Sequence, residues 1–460
     1  MSKLSTLKQW GLRNVLLPTG DALFAHPMMQ RLRQLEHMQW WPREQIEGER
    51  NRRLAKLVAT SYSEVPFYRD LFDRAGVKVA DIRCPADLRK LPVVTKSMLR
   101  EAYPDRCCRT GRGATYETST SGSTGRNFRV REDRETAAWY RASFLLALEW
   151  AGWRIGQPHV QIGMTTQRNL EQRLKDALLG CHYVSGFDLT NQALDRCLAL
   201  LERKSIQHVW GYPGSLFCLA RRAQQVGWNT RLTSIVTWGD QLHSQYRDVI
   251  ERAFGVRVCD TYGCAEGMQI AAQCGTGTSY HLHELDVVVE YLDDQDNPVQ
   301  SGTPGRVVLT RLHAGPTPFI RYEVGDIGIG AGEKNCACGR RLRLLESIQG
   351  RNADYVLTPS GNRLIVHFFT GILEHFYEID SFQVIQDRAD TIRLHIVPGP
   401  GYNRQIQRKI QNALRHRGAD MIIEVQAVSE IPLTPGGKRR FIVRTADFES
   451  RLSPKLEAAS

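Results

Sequence analysis

Apolar positions recur every three to four residues through 25–57 and again through 60–76, and this spacing predicts helices there, with Pro66 marking a break. From about residue 160 the rhythm changes. Residues 160–163, 208–211 and 234–238 are short apolar runs that read as strands. Leu170–Leu179, residues 214–226 and Ser244–Phe254 read as amphipathic helices between and after them. Strand and helix in alternation predict parallel sheet with sites at the carboxyl ends of the strands, where Trp238-Gly239-Asp240 and Thr261-Tyr262-Gly263 fall. Residues 279–330 switch to a period of two. There, 287–292 and 306–310 flank the turn-rich 293–304, predicting a hairpin or small barrel-like part. Beyond Gly350 the segments shorten to strands at 381–386, 391–397 and 421–428 around an amphipathic helix at 403–415. The expected fold is α/β, with a large N-terminal domain over 1–349 and a small α+β C-terminal domain over 350–460. The large domain would hold N-terminal helices, parallel α/β sheets and a β-rich part over 279–349.

A chain of 460 residues, 42% hydrophobic and 24% charged, has ample core for two or three domains. Its net charge of +12 favours anionic partners such as nucleotides, coenzyme A, nucleic acid or an anionic membrane surface. The basic residues are scattered through helical stretches such as 41–56, which predicts a solvated face and no nucleic-acid partner. Lys3 and Lys8 precede an apolar run that ends at Pro18, too short for a secretory signal core. The most hydrophobic stretch, 144–153, contains Glu149 and does not qualify as a transmembrane segment. Trp40-Trp41 is expected to bury against the main body. The 11 cysteines show no small-scaffold spacing and predict reduced thiols or metal ligands, hence a cytoplasmic location. An oligomer is compatible with the sequence.

The densest chemical signal is Ser119-Thr120-Ser121-Gly122-Ser123-Thr124-Gly125-Arg126. Glycine admits close backbone approach, and hydroxyls, bare amides and an arginine can surround phosphate oxygens. No Gly-Lys-Ser/Thr follows, so the lysine of the nucleotide-binding P-loop is absent. Taken alone, the octet reads equally well as a flexible linker. Further short polar clusters follow in order: Tyr262-Gly263-Cys264-Ala265-Glu266, Arg321-Tyr322-Glu323-Val324-Gly325-Asp326, Gly350-Arg351, and Pro432-Leu433-Thr434-Pro435-Gly436-Gly437-Lys438.

Together these motifs resemble those of the adenylate-forming superfamily of acyl-CoA synthetases and ligases, over roughly residues 45–445. Val65-Pro66-Phe67-Tyr68-Arg69, Leu91-Pro92-Val93-Val94-Thr95-Lys96 and Gly211-Tyr212-Pro213 are similar to the phenylacetate–coenzyme A ligase branch. The resemblance implies ATP-dependent activation of a carboxylic acid as an acyl-adenylate, with a mobile C-terminal domain. It implies that Ser121, Gly122, Ser123, Thr124 and Gly125 hold phosphates, and that Asp326 accepts the ribose hydroxyls. Tyr262 and Gly263 would lie near adenine beside Gly239-Asp240, which stands where the family usually has Gly-Glu. Glu266 would face Mg2+, which needs few carboxylates beside phosphate oxygens. Lys438 would bridge carboxylate and phosphate as the catalytic cation, and Arg351 would sit near the hinge. Ala265 and Ala353 depart from the family's usual residues at those positions. Tyr140, Tyr212 and Trp238 are candidate pocket walls for an aryl or planar acid, with core aromatics as the alternative role.

Cys274, His281, Cys336 and Cys338 form a second constellation, in which three thiolates and one imidazole make a complete tetrahedral set for a structural Zn2+. His283 is a competing ligand, and a similar site occurs in part of the ligase branch. Coenzyme A is the acyl acceptor that the resemblance implies. However, Val366-His367-Phe368-Phe369 looks more like adenylating relatives of capsule or exopolysaccharide synthesis, whose acceptor is an amine, a sugar or a carrier protein. The remaining alternative is a zinc-stapled basic protein that binds nucleic acid or nucleotide without turnover.

Overall fold

The computed structural model describes residues 3–110, 114–120, 128–163, 168–186, 190–351, 355–360, 363–373, 376, 378–416, 419–432 and 440–445. The chain divides into two compact units, one of Met1–Val324 with Gly328–Ile348 and one of Gly325–Ile327 with Gln349–Ser460.

The helices expected over 25–57 and 60–76 are Met28–Met38, Arg43–Glu64 and Pro66–Ala75. The first predicted span is thus two helices, separated at Pro42. Proline supplies no amide donor and disfavours helical geometry in the residue before it, so the chain turns there and starts afresh. The second helix runs on to Glu64, and Pro66 opens the next one at its first turn, where its missing N–H costs nothing.

One sheet of eleven strands organises the larger unit. Strands Cys181–Ser185, His159–Gly163, His208–Gly211, Ser234–Thr237 and Val258–Cys264 pair in parallel in that order. Every residue of His208–Gly211 and Ser234–Thr237 is buried, as strands covered on both faces require. The helices Leu170–Leu179 and Ser244–Phe254 have the predicted bounds, and Pro213–Gln225 starts one residue earlier than predicted. His159 stacks on Trp210 with ring centres 3.8 Å apart. Burial pushes the pKa values of His159 and His208 down to about 4.

After Val258–Cys264 the chain turns back on itself, and the strands that follow extend the same sheet. Met268–Gln273 pairs antiparallel with both Val258–Cys264 and Tyr280–Leu282. The order continues through Leu344–Arg351, Tyr322–Gly330, Pro304–Arg311 and Val287–Leu292. The last two strands are antiparallel, with Val287 opposite Arg311, as the turn-rich segment between them predicts. The strands of the barrel-like part expected over 279–349 therefore continue the same eleven-stranded sheet as the parallel ones.

The smaller unit has a four-stranded sheet in the order Ile422–Ala427, Thr391–Pro398, Ile379–Gln386, Ile442–Arg444. Helix Arg404–His416 buries Ile410 and Leu414 into a core with Val384, Leu394 and Phe369. Phe369 belongs to helix Val366–Leu373, so the aromatic-rich stretch singled out in the sequence supplies core packing.

Candidate active site and metal centre

Two parallel strands present their carboxyl ends side by side because a buried aspartate ties them. Asp260 accepts the Thr237 hydroxyl at 2.5 Å and the Tyr280 hydroxyl at 2.7 Å, while its amide donates to Gln273 Oε1 at 3.0 Å. Burial raises the Asp260 pKa to about 6 against these donors. The Thr261 hydroxyl donates to the Thr237 carbonyl at 2.8 Å. Trp238-Gly239-Asp240 and Tyr262-Gly263 therefore emerge next to each other.

Glycine is required at both exits. Gly239 has φ +83°, and a methyl group there would stand 2.5 Å from Tyr212 Cε1. A methyl on Gly263 would meet the Met268 carbonyl at 2.9 Å, at a register shift between Tyr262 and Gly263. Trp238 lies edge-on to Tyr212 (6.4 Å), Trp210 (6.4 Å) and Phe144 (5.7 Å). Tyr140 sits one helical turn before Phe144 on Arg134–Trp150, within electrostatic reach of Cys264, Glu132 and Tyr212. Burial first, and the charge of Asp240 second, push the Tyr212 hydroxyl's pKa up. Trp238 and Tyr212 thus share one aromatic cluster, with Tyr140, 36% exposed, within electrostatic reach of Tyr212.

Just past strand Val258–Cys264 lies Glu266, buried at 3% exposure. Its Oε1 accepts Lys96 Nζ at 2.8 Å and the Tyr322 hydroxyl at 2.8 Å. Burial pushes this carboxyl's pKa up, but Lys96 and Tyr322 outweigh it and hold the pKa below the ordinary value. Lys96 also lies over the Phe128 ring at 5.3 Å, and Phe128 stacks on Tyr322.

Lys96 reaches Glu266 because its segment is pinned. Val94 forms a parallel bridge with Tyr322, using bonds from Val94 N to the Arg321 carbonyl (2.8 Å) and from Glu323 N to the Val94 carbonyl (2.9 Å). Arg321 takes the left-handed φ of 49° and is held by Glu290, the Leu91 carbonyl and the Thr310 hydroxyl. Beneath the 264–267 turn, buried Arg311 pairs with Glu132 at 3.3 Å. Gly267 has φ +79°, and a methyl there would fall 2.0 Å from Glu132 Oε1, so the turn tolerates no side chain.

Sequence reasoning quoted Lys96 and Tyr322 inside motifs but gave neither a role, and it passed over Asp260, Glu132 and Arg311. Asp326 is the residue that the resemblance assigns to the ribose hydroxyls. It lies inside strand Tyr322–Gly330, where Gly325 at φ +92° interrupts the regular backbone. Arg351 ends strand Leu344–Arg351. Ser121, Gly122, Ser123, Thr124, Gly125, Arg126, Ala353 and Lys438 lie outside the described residues. Trp40, expected to be buried, is half exposed, with the Arg340 guanidinium 5.1 Å from its ring centre.

The metal-ligating set does assemble. The donor atoms of Cys274, His281, Cys336 and Cys338 all lie within 4.8 Å of one another. Cys274 and Cys336 sulfurs are 3.6 Å apart, and Cys338 Sγ is 3.3 Å from His281 Nε2. Around a tetrahedral zinc the ordinary bond lengths give roughly 3.8 Å between sulfurs and roughly 3.5 Å between sulfur and nitrogen, so the set fits that ion. Gly339, at φ +82°, donates its amide to the Cys336 carbonyl and closes the Cys-x-Cys turn. The competing His283 is not in the set; it stacks flat on Trp150 at 4.9 Å and is fully enclosed.

Comparison with known proteins shows what this architecture is similar to. A solved 2-hydroxyisobutyryl-CoA ligase, captured after adenylation with 2-HIB-AMP, superposes with TM-score 0.69 at 20% identity, covering 89% of this chain and 91% of that one. The fold is that of the adenylate-forming ligases. The phenylacetate-coenzyme A ligase of Thermus thermophilus is 23% identical over 443 residues, 87% of this chain and 97% of that enzyme. Protein CapK of Staphylococcus aureus is 22% identical over 387 residues, 82% of this chain and 84% of CapK. A family model described as the CapK C-terminal domain matches residues 356–445. The resemblance drawn from the motifs therefore holds, and the chain is a relative of AMP-forming acid ligases.

Proposed function

We propose that this protein activates a small carboxylic acid with ATP and passes the acyl group to a nucleophile. The observation that carries the reading is Glu266, buried just past strand Val258–Cys264 and held below the ordinary carboxyl pKa by Lys96 and Tyr322, in a chain with this fold. In the first stage a carboxylate oxygen attacks the α-phosphorus of ATP, the α–β anhydride bond breaks, and pyrophosphate leaves. In the second a nucleophile attacks the acyl carbon and AMP leaves. Ser121, Gly122, Ser123, Thr124 and Gly125 would cradle phosphates, Tyr262, Gly263, Gly239 and Asp240 would border adenine, and Asp326 would take the ribose. Glu266 would face Mg2+, whose charge offsets the phosphate oxygens. Lys438 would offset the charge that grows at the α-phosphorus. Residues 1–349 would form the large domain and 350–460 a lid that swings about the Arg351 region between stages.

The acceptor in this reading is coenzyme A, the co-substrate named in several relatives. The CapK-type match over 356–445 favours a second acceptor class, an amine, sugar or carrier protein. Tyr140, Tyr212 and Trp238 suit an aryl or planar acid. The Cys274, His281, Cys336 and Cys338 set would hold a structural Zn2+, since all four positions are protein donors. All 11 cysteines are free, which fits a cytoplasmic enzyme.

Pyrophosphate–ATP exchange tests the reading. With a panel of aryl, fatty and amino acids, at least one acid should drive exchange, and Lys438→Ala should abolish it while nucleotide affinity stays. Absence of exchange with every acid, together with tight nucleic-acid binding, would establish the passive binder instead.

A further inference from the structure

Six large apolar side chains near the start of the chain face solvent. Leu7, Trp10, Val15, Leu16, Leu23 and Phe24 are each between 49% and 75% exposed. They lie on helices Lys3–Gly11 and Leu17–Phe24 and the π-helical turn Leu12–Leu16 that joins them. Helix Leu17–Phe24 buries none of its residues. Helix Leu170–Leu179 likewise buries none, and it presents exposed Leu170, Leu174 and Leu178 at a spacing of four, which places them on one face.

The two sets border the same turn. A methyl group on Gly156 would stand 3.1 Å from Gln9 Cγ and 3.3 Å from Leu12 Cδ2, while one on Gly180, just past the second helix, would stand 3.3 Å from Pro158. Leu12 and Leu179 also pack into one core. The segments that carry the exposed residues therefore lie near one another on the larger unit, where a monomer in water gains nothing from showing them.

The charge on this side selects the occupant. Residues 3–24 and 168–179 carry six basic side chains against three acidic ones. Asp176 pairs with Arg168 at 2.5 Å, Glu171 with Lys175 at 2.6 Å, and Arg13 with Glu36 and Glu149, while Asp21 accepts the Met29 amide; Lys8 and Arg173 remain as exposed cations on the described surface. A second copy would bring another chain of net charge +12 against this basic face and be repelled. An anionic lipid surface would be attracted, and tryptophan, phenylalanine and leucine with flanking lysine and arginine suit the headgroup boundary. Among the described residues no helix is long and apolar enough to cross a membrane, so attachment here would lie on the surface.

We propose that the face formed by helices Lys3–Gly11, Leu17–Phe24 and Leu170–Leu179 docks the protein peripherally on an anionic phospholipid bilayer. The test is flotation of the full chain with vesicles of phosphatidylcholine alone and with about 30 mol % phosphatidylglycerol. The full chain should float with the mixed vesicles. The triple variant Leu7→Ser/Trp10→Ser/Phe24→Ser should bind about tenfold less. Lys8→Glu/Arg173→Glu, which keeps the apolar residues, should also bind more weakly, and high salt should mimic it. Because these side chains are exposed, both variants should keep the parent's thermal midpoint, which separates lost docking from lost folding. Failure of the full chain to float with either vesicle would overturn the proposal. So would equal binding to neutral vesicles, or a light-scattering dimer that the triple variant disperses without any vesicle binding.

Discussion

Two buried polar clusters in the larger unit solve opposite problems. At Glu266 the protein already supplies the answering charge: Lys96 and Tyr322 complete the carboxylate without help from outside. At Cys274, His281, Cys336 and Cys338 the four donor atoms lie within 4.8 Å of one another, two of the residues buried and two half-buried, with the Arg340 guanidinium beside Cys338. His281 Nδ1 has no hydrogen-bond partner among the described residues, and burial drives its pKa down to about 4, so the ring stays neutral. The first cluster is closed by its own charges; the second has the donor set of a tetrahedral metal site. In the proposed reading the carboxylate serves the chemistry, and the set of three thiols and one imidazole serves the scaffold.

The largest expected effect breaks the second cluster. Cys336→Ser/Cys338→Ser should reduce bound zinc from about one per chain to none and lower stability by roughly 4 kcal/mol or more, read by metal analysis and thermal unfolding. Disruption of the first cluster should appear in rate instead. Glu266→Gln should slow pyrophosphate exchange about 10²–10³-fold, a barrier increase of roughly 3–4 kcal/mol, with a much smaller change in unfolding midpoint. If both variants lowered stability alike and left exchange intact, the contrast would collapse.

A buried pair outside both clusters provides the reference. His159 and His208 have folded pKa values of about 4, below the unfolded value. Their contribution is therefore fully present above about pH 6.5 and is lost as pH falls from there through about 4. The unfolding free energy from urea titration should drop by about 2–3 kcal/mol per histidine over that window, and His208→Asn should flatten part of the slope. The smallest effect sharpens the first cluster: Tyr322→Phe should cost about 1 kcal/mol and reduce exchange only severalfold, because Lys96 still answers Glu266.

What could be read from the sequence follows physical range. The short apolar run before Trp238-Gly239-Asp240 marked a strand end, since a buried strand is written locally in its own side chains, whereas Thr261-Tyr262-Gly263 lies within strand Val258–Cys264, which runs on to pair with Met268–Gln273. Cys-x-Cys-Gly marked one half of the quartet for the same reason. The break at Pro42 was also open to reading, because proline's geometry acts on its immediate neighbour. The pairing of Lys96 with Glu266 was not. It depends on the bridge between Val94 and Tyr322, formed after distant segments meet, and no local pattern encodes which lysine will arrive. The Arg311–Glu132 pair and Asp260 were hidden likewise, as charged residues whose sequence neighbourhoods do not announce burial.

The bridge at Val94 also decides which shortened forms of the protein are worth making. A version trimmed to begin after Lys96 would retain every strand of the large sheet yet strand an acid in its interior without a counter-ion. Deleting a single residue between Val94 and Lys96 would do similar harm by turning the ammonium group away. The opening hundred residues are thus no detachable preface, and protein engineers seeking a minimal catalyst should cut elsewhere.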